Sequence, residues 1–81
     1  MTESEIMKVV FELLKKAAPD AEPENLGQDD PVREKLDMDS FDYLRFLVSL
    51  DEKTGISIPE EDYSKVTTLR ELVSYIKARV S

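Results

Sequence analysis

Asp39-Ser-Phe-Asp-Tyr-Leu-Arg-Phe-Leu-Val-Ser-Leu-Asp-Glu-Lys-Thr-Gly55 contains a complete set of instructions for one helix. Asp39 is a strong N-cap residue, because its carboxylate can accept a hydrogen bond from one of the orphan amides of the first turn. Phe41, Leu44, Leu47, Val48 and Leu50 then supply a broad apolar face. Gly55 is placed to end the helix in the left-handed conformation that other residues avoid. This helix carries Ser40 in its first turn, so a hydroxyl is expected beside unpaired amides and the positive end of the helix dipole.

Outward from this helix, both flanks are also helical in pattern. Downstream, Ile56-Ser-Ile58-Pro59 reads as a short extended piece. Pro59-Glu-Glu-Asp62 suits the opening of a short third helix, since acids favour a helix N-terminus. Tyr63 and Val66 are expected to anchor it. Thr68-Leu-Arg-Glu71 is a capping box, which opens a last helix carrying Leu69, Leu72, Val73, Ile76 and Val80. Upstream, Thr2-Glu-Ser-Glu5 is another capping box. Behind it Ile6, Val9, Val10, Leu13, Leu14 and Ala17 recur at helical spacing until Pro19 stops the run. A long polar connection from Pro19 to Met38 remains. Asp30-Pro31 predicts a cap and a single turn over 32–36, and Leu26, Val32, Leu36 and Met38 are the expected anchors. The reading is all-α: a four-helix bundle with three longer helices, one short helix and a long loop between helices one and two, in one domain spanning 1–81.

Composition narrows the chemistry. The chain has 81 residues, is 41 % hydrophobic and 36 % charged, and contains neither His nor Cys. A Ser-His-Asp triad, a Cys nucleophile and a typical zinc site are therefore excluded. Two glycines, Gly27 and Gly55, cannot make a P-loop or a dinucleotide fingerprint. Independent catalysis is not expected. The Met1-Thr-Glu-Ser-Glu5 start lacks the pattern of a signal peptide, and no apolar run approaches the ~18 residues of a membrane span. The cysteine-free chain fits a reducing cytoplasm. The net charge is −7, concentrated in the middle: residues 19–62 hold 14 acids and 4 bases. Such a field repels nucleic acid and favours basic protein partners.

In these features the chain resembles the acyl carrier protein family. The residues that carry the likeness are Asp39-Ser40-Phe41, Leu44 through Leu50, Ile58-Pro59, Val66-Thr67-Thr68 and Tyr75-Ile76. The resemblance implies that Ser40 receives 4'-phosphopantetheine from coenzyme A and that Asp39 contributes contacts at the site. The arm would hold acyl or related groups as thioesters for fatty-acid, polyketide or specialised lipid biosynthesis. The chain itself offers no base for Ser40, so a phosphopantetheinyl transferase must supply one. The resemblance further implies a freestanding monomer docking to acyl-loading and acyl-processing enzymes with basic patches, through Asp37, Asp42, Tyr43, Arg45, Asp51 and Glu52. It places Phe46, Leu50, Ile58 and Val66 where long acyl cargo can lie, although core packing is the plainer role for each. Tyr43 and Phe46 are bulky enough either to line such a space or to close it.

Three residues depart from the family pattern. Phe41 replaces the customary leucine and is expected to take over its packing; Asp-Ser-Phe also occurs in D-alanine carriers, which keeps an aminoacyl or peptidyl cargo open. Asp37 stands where glycine is common and is expected to stiffen the approach loop. Arg45 reverses the usual acid on an exposed face, which changes partner choice or merely pairs with Asp42. Asp37, Asp39 and Asp42 do not make an EF-hand, because its sixth and twelfth positions fall on Asp42 and Val48. The competing reading is an acidic helical interaction module with no arm.

Overall fold

The computed structural model describes residues 1–80, arranged as three long helices, a single helical turn and two short 3₁₀ segments. Helix α1 spans Glu3–Ala17, α2 Val32–Lys35, α3 Ser40–Thr54 and α4 Leu69–Arg79; the 3₁₀ segments are Pro23–Asn25 and Glu60–Lys65. The architecture is all-α.

The termini follow the sequence signals. Both capping boxes form: Thr2 and Glu5 exchange hydrogen bonds of 2.8 and 3.2 Å, and Thr68 and Glu71 do the same at α4. The Glu71 carboxylate also accepts from the amide and hydroxyl of Thr67, and these bonds hold its pKa below the ordinary value. At the end of α3, Gly55 adopts φ 76° and its amide donates to the Asp51 carbonyl at 2.7 Å. Helix α1 ends at Ala17, two residues before Pro19, as a residue preceding proline disfavours the helical region.

One core serves all elements. Ile6, Val10 and Leu14 of α1 meet Phe46, Leu47 and Leu50 of α3 and Leu69, Leu72, Val73 and Ile76 of α4. Val32, Met38, Ile56 and Val66 close it from the connections, and Leu26 and Leu36 pack against its edge. The long loop is held by α4 and its approach: the Val32 amide donates to the Thr67 carbonyl at 2.9 Å, the Arg70 amide to the Gln28 carbonyl at 2.8 Å, and Arg70 Nε to Asp29 Oδ1 at 2.8 Å. An isolated antiparallel bridge pairs Pro31 with Thr68 beside them.

Three expectations change. The short third helix takes the 3₁₀ form over Glu60–Lys65, directly after Pro59. Asp30 does not cap the turn that follows. Its carboxylate accepts from the Gly27 amide at 2.8 Å, while Pro31 occupies the cap position of α2. On α3, Phe41, Leu44 and Val48 face solvent, 72, 41 and 49 % exposed. The inward side is Tyr43, Phe46, Leu47 and Leu50, which share one face at spacings of three, four and seven. The apolar residues of α3 extend around more of the helix than α1 and α4 can cover.

Candidate functional site

Ser40 is the first residue of α3 and is exposed. Its position follows from local chemistry on both sides. Behind it, α2 ends in a Schellman arrangement: the Met38 amide donates to the Arg33 carbonyl at 2.9 Å and the Asp37 amide to the Glu34 carbonyl at 3.2 Å. That motif requires a left-handed residue, and Asp37 fills the role with φ 54°. The departure from glycine is therefore a conformational matter, since aspartate is among the few side chains that tolerate this region. Met38 is buried and fixes the approach. Asp39 then caps α3, its Oδ1 accepting from the Asp42 amide at 2.8 Å.

With the Asp42 amide satisfied in this way, the amides of Ser40 and Phe41 find no acceptor among the described residues. Two free N–H groups, the positive end of a 15-residue helix and an exposed hydroxyl meet at one point. A phosphodiester on Ser40 would be a favoured anion there.

A groove of about 350 Å³ opens beside the hydroxyl. Its apolar lining comes from Tyr43, Leu44, Leu47 and Tyr63, and Arg33 and Glu34 contribute charge. The Tyr43 phenol crosses from α3 to donate a hydrogen bond to the Val66 carbonyl. Burial, with the charges of Glu71 and Glu34 in support, pushes its pKa well above the ordinary value, so it remains a neutral donor.

The residues expected to dock partners separate into two groups. Asp37 and Arg45 are exposed and Asp42 half-buried at the start of α3 or just before it, beside the exposed Asp39 of the attachment site. Arg45 Nη2 lies 3.7 Å from Asp42 Oδ1, an i, i+3 pair with the arginine side chain 78 % exposed. A pair that open contributes little to stability. Half-buried Asp51 and exposed Glu52 lie eleven and twelve residues beyond Ser40, about 16 Å or more along the axis. Tyr43 is half-buried, with its polar atom committed inside the protein. Of the four residues considered for acyl cargo, Phe46, Leu50 and Val66 are packed in the core with at most 1 % exposure, and Ile58 is half-buried at its edge. None of the four lines the groove at Ser40.

Sequence reasoning missed the exposed stripe of Phe41, Leu44 and Val48 and the groove residues Arg33, Glu34, Leu47 and Tyr63. The stripe has a signal, the i, i+3, i+7 spacing running back to Ser40, but the same spacing is that of a core face. The groove has none, because it arises only when Tyr63 is brought against α3.

A small all-α fold with an exposed serine at the head of a long helix is the form of a carrier domain. Residues 6–76 match the family model described as the phosphopantetheine attachment site, and the chain belongs to that family. It is thus a carrier and not an enzyme, bears 4'-phosphopantetheine covalently, and works with partner enzymes. The chain is 34 % identical over 73 residues to an acyl carrier protein of Helicobacter hepaticus, covering 90 % of each chain. An acyl carrier protein of Campylobacter hominis is 36 % identical over 73 residues, 90 % of this chain and 86 % of that one. One from Lactobacillus johnsonii is 30 % identical over 78 residues, 96 % of each. Among the described residues no helix is long and apolar enough to cross a membrane.

Proposed function

We propose that Ser40 is the attachment point, and that the arm on it carries acyl or related intermediates as thioesters in fatty-acid, polyketide or specialised lipid biosynthesis. The observation that carries this reading is the exposed Ser40 hydroxyl at the head of α3, beside two free amides, inside the matched family region. The amides of Ser40 and Phe41 hold the phosphate and Asp39 keeps the first turn wound. The arm supplies the thiol that forms the thioester. The chain has no His or Cys to deprotonate Ser40; in this reading the transferase provides the base.

The docking face in this reading is α3 together with the turn before it. The exposed apolar stripe of Phe41, Leu44 and Val48 gives a partner surface to bury, and Asp37, Asp39 and Asp42 attract basic residues. Arg45 interrupts that acidic field and selects among partners. The protein acts as a cytoplasmic monomer.

Co-expression with a broad-specificity phosphopantetheinyl transferase tests the attachment. Intact mass rises by one phosphopantetheine in the wild type and stays unchanged in Ser40→Ala. A wild-type mass that does not move, or a Ser40→Ala chain that is still modified, overturns the assignment.

A further inference from the structure

We propose that Tyr43 sets the depth of the cargo site: it closes the groove beside Ser40 against the core, so that thioester-bound groups are held at the surface and long acyl chains are not taken into the bundle. The inference rests on Ser40 as the attachment point and goes on to the class of cargo.

Tyr43 belongs to both sides of the boundary. Its side chain lines the groove that Ser40 opens into. Its ring centroid lies 5.5 Å from that of Phe46, tilted by 42°, within the range of a favourable aromatic pair. Its hydroxyl donates to the Val66 carbonyl, tying α3 to the chain just after the 3₁₀ segment. Phe46 and Val66 are both 0 % exposed. A group leaving the groove for the core would have to pass between α3 and the 3₁₀ segment, where the phenol spans the gap.

Opening that passage has two costs. The Val66 carbonyl loses its donor in a region from which water is largely excluded, and the Tyr43 ring gives up its contact with Phe46. The groove itself is at the small end of the range for ligand sites and is partly polar, with Arg33 and Glu34 on its lining. It suits a short or polar-ended acyl group.

The transferase can load the chain with acyl-phosphopantetheine from coenzyme A thioesters of increasing length, acetyl to hexadecanoyl, with each product confirmed by intact mass. In the wild type the thermal midpoint levels off by hexanoyl, because further methylenes stay in water. In Tyr43→Ala it continues to climb, by roughly 5 °C or more per two-carbon step while the chain enters the core. Tyr43→Phe, which keeps the ring and releases Val66, gives a slope between the two. A wild-type midpoint that climbs steadily to hexadecanoyl overturns the proposal without recourse to any variant. So does a Tyr43→Ala series as flat as the wild type. Absence of loading, seen in the mass alone, would instead remove the attachment at Ser40.

Discussion

The Tyr75 hydroxyl lies 2.6 Å from Asp62 Oδ2, a hydrogen bond that fastens the last helix to the 3₁₀ segment Glu60–Lys65. Lys65 reaches the other carboxylate oxygen at 3.2 Å, and the Arg79 guanidinium stacks 3.5 Å from the centroid of the Tyr75 ring. No side chain of the segment is fully buried, and Tyr63 and Val66 supply its apolar attachment. The polar clasp therefore has an unusual share in holding it. Tyr75→Phe is expected to lower the thermal midpoint by a few degrees and to speed amide hydrogen exchange over residues 60–66 more than in α1. Uniform change across both regions would show that the clasp acts on the whole bundle and not on this segment.

The same contact gives stability a pH dependence. Hydrogen bonds from Tyr75 and then Lys65 hold the Asp62 pKa below its ordinary 3.8. Glu71 is held below 4.5 by Thr67 and Thr68, and Asp29 below 3.8 by Arg70. A carboxyl whose folded pKa is depressed binds its proton more weakly in the native state than in the unfolded one. Its contribution is present above the unfolded value and lost as pH falls through the folded value. Urea midpoints are expected to hold from neutral pH down to about 5 and to fall steadily below 4, with a shallower fall in Tyr75→Phe. An acid limb as steep in the variant as in the wild type would place the lost charge elsewhere.

Asp37 gives a test of the approach to Ser40. Its φ of 54° is tolerated by aspartate, natural for glycine and costly for alanine. Asp37→Gly should be as stable as the wild type or slightly more so, and Asp37→Ala less stable than Asp37→Gly by about 1–2 kcal/mol in chemical denaturation. Equal stability of the glycine and alanine variants would mean that the left-handed turn is not kept in solution.

The sequence carried the ends of the helices well and their sides poorly. Thr2, Asp39, Gly55 and Thr68 act within three or four residues of themselves, so the local pattern suffices to locate α1, α3 and α4. Which face of α3 turns inward depends instead on how much apolar surface α1 and α4 can cover. With Phe41, Tyr43, Leu44, Phe46, Leu47, Val48 and Leu50 in one helix, the sequence offers more candidates than the core accepts. Phe41 was the position most open to misreading. An expected packing residue is the most exposed large hydrophobe among those described. The place of Ser40 at the head of α3 was legible through the cap at Asp39. The groove beside it was not, because Tyr43 and Val66 meet across 23 residues of chain.

Arg45 and Phe41 can be separated from stability because both project from the fold. Phe41 is 72 % exposed and the Arg45 pair with Asp42 is open to solvent, so Phe41→Ala and Arg45→Glu should each change stability by no more than about 0.5 kcal/mol. Their effects are expected on partners. Phe41→Ala removes apolar area next to Ser40 and should reduce turnover by the native partner enzymes, seen as a higher KM for the loaded carrier. Arg45→Glu restores a continuous acidic face. It should improve turnover by fatty-acid synthesis enzymes that dock through basic residues and impair the native partner, with both effects shrinking as salt is raised. Steady-state kinetics with the phosphopantetheine-bearing protein, at low and at physiological ionic strength, measures both. Unchanged KM in both enzyme sets would reduce Arg45 to the partner of Asp42 and move the docking face off this part of α3.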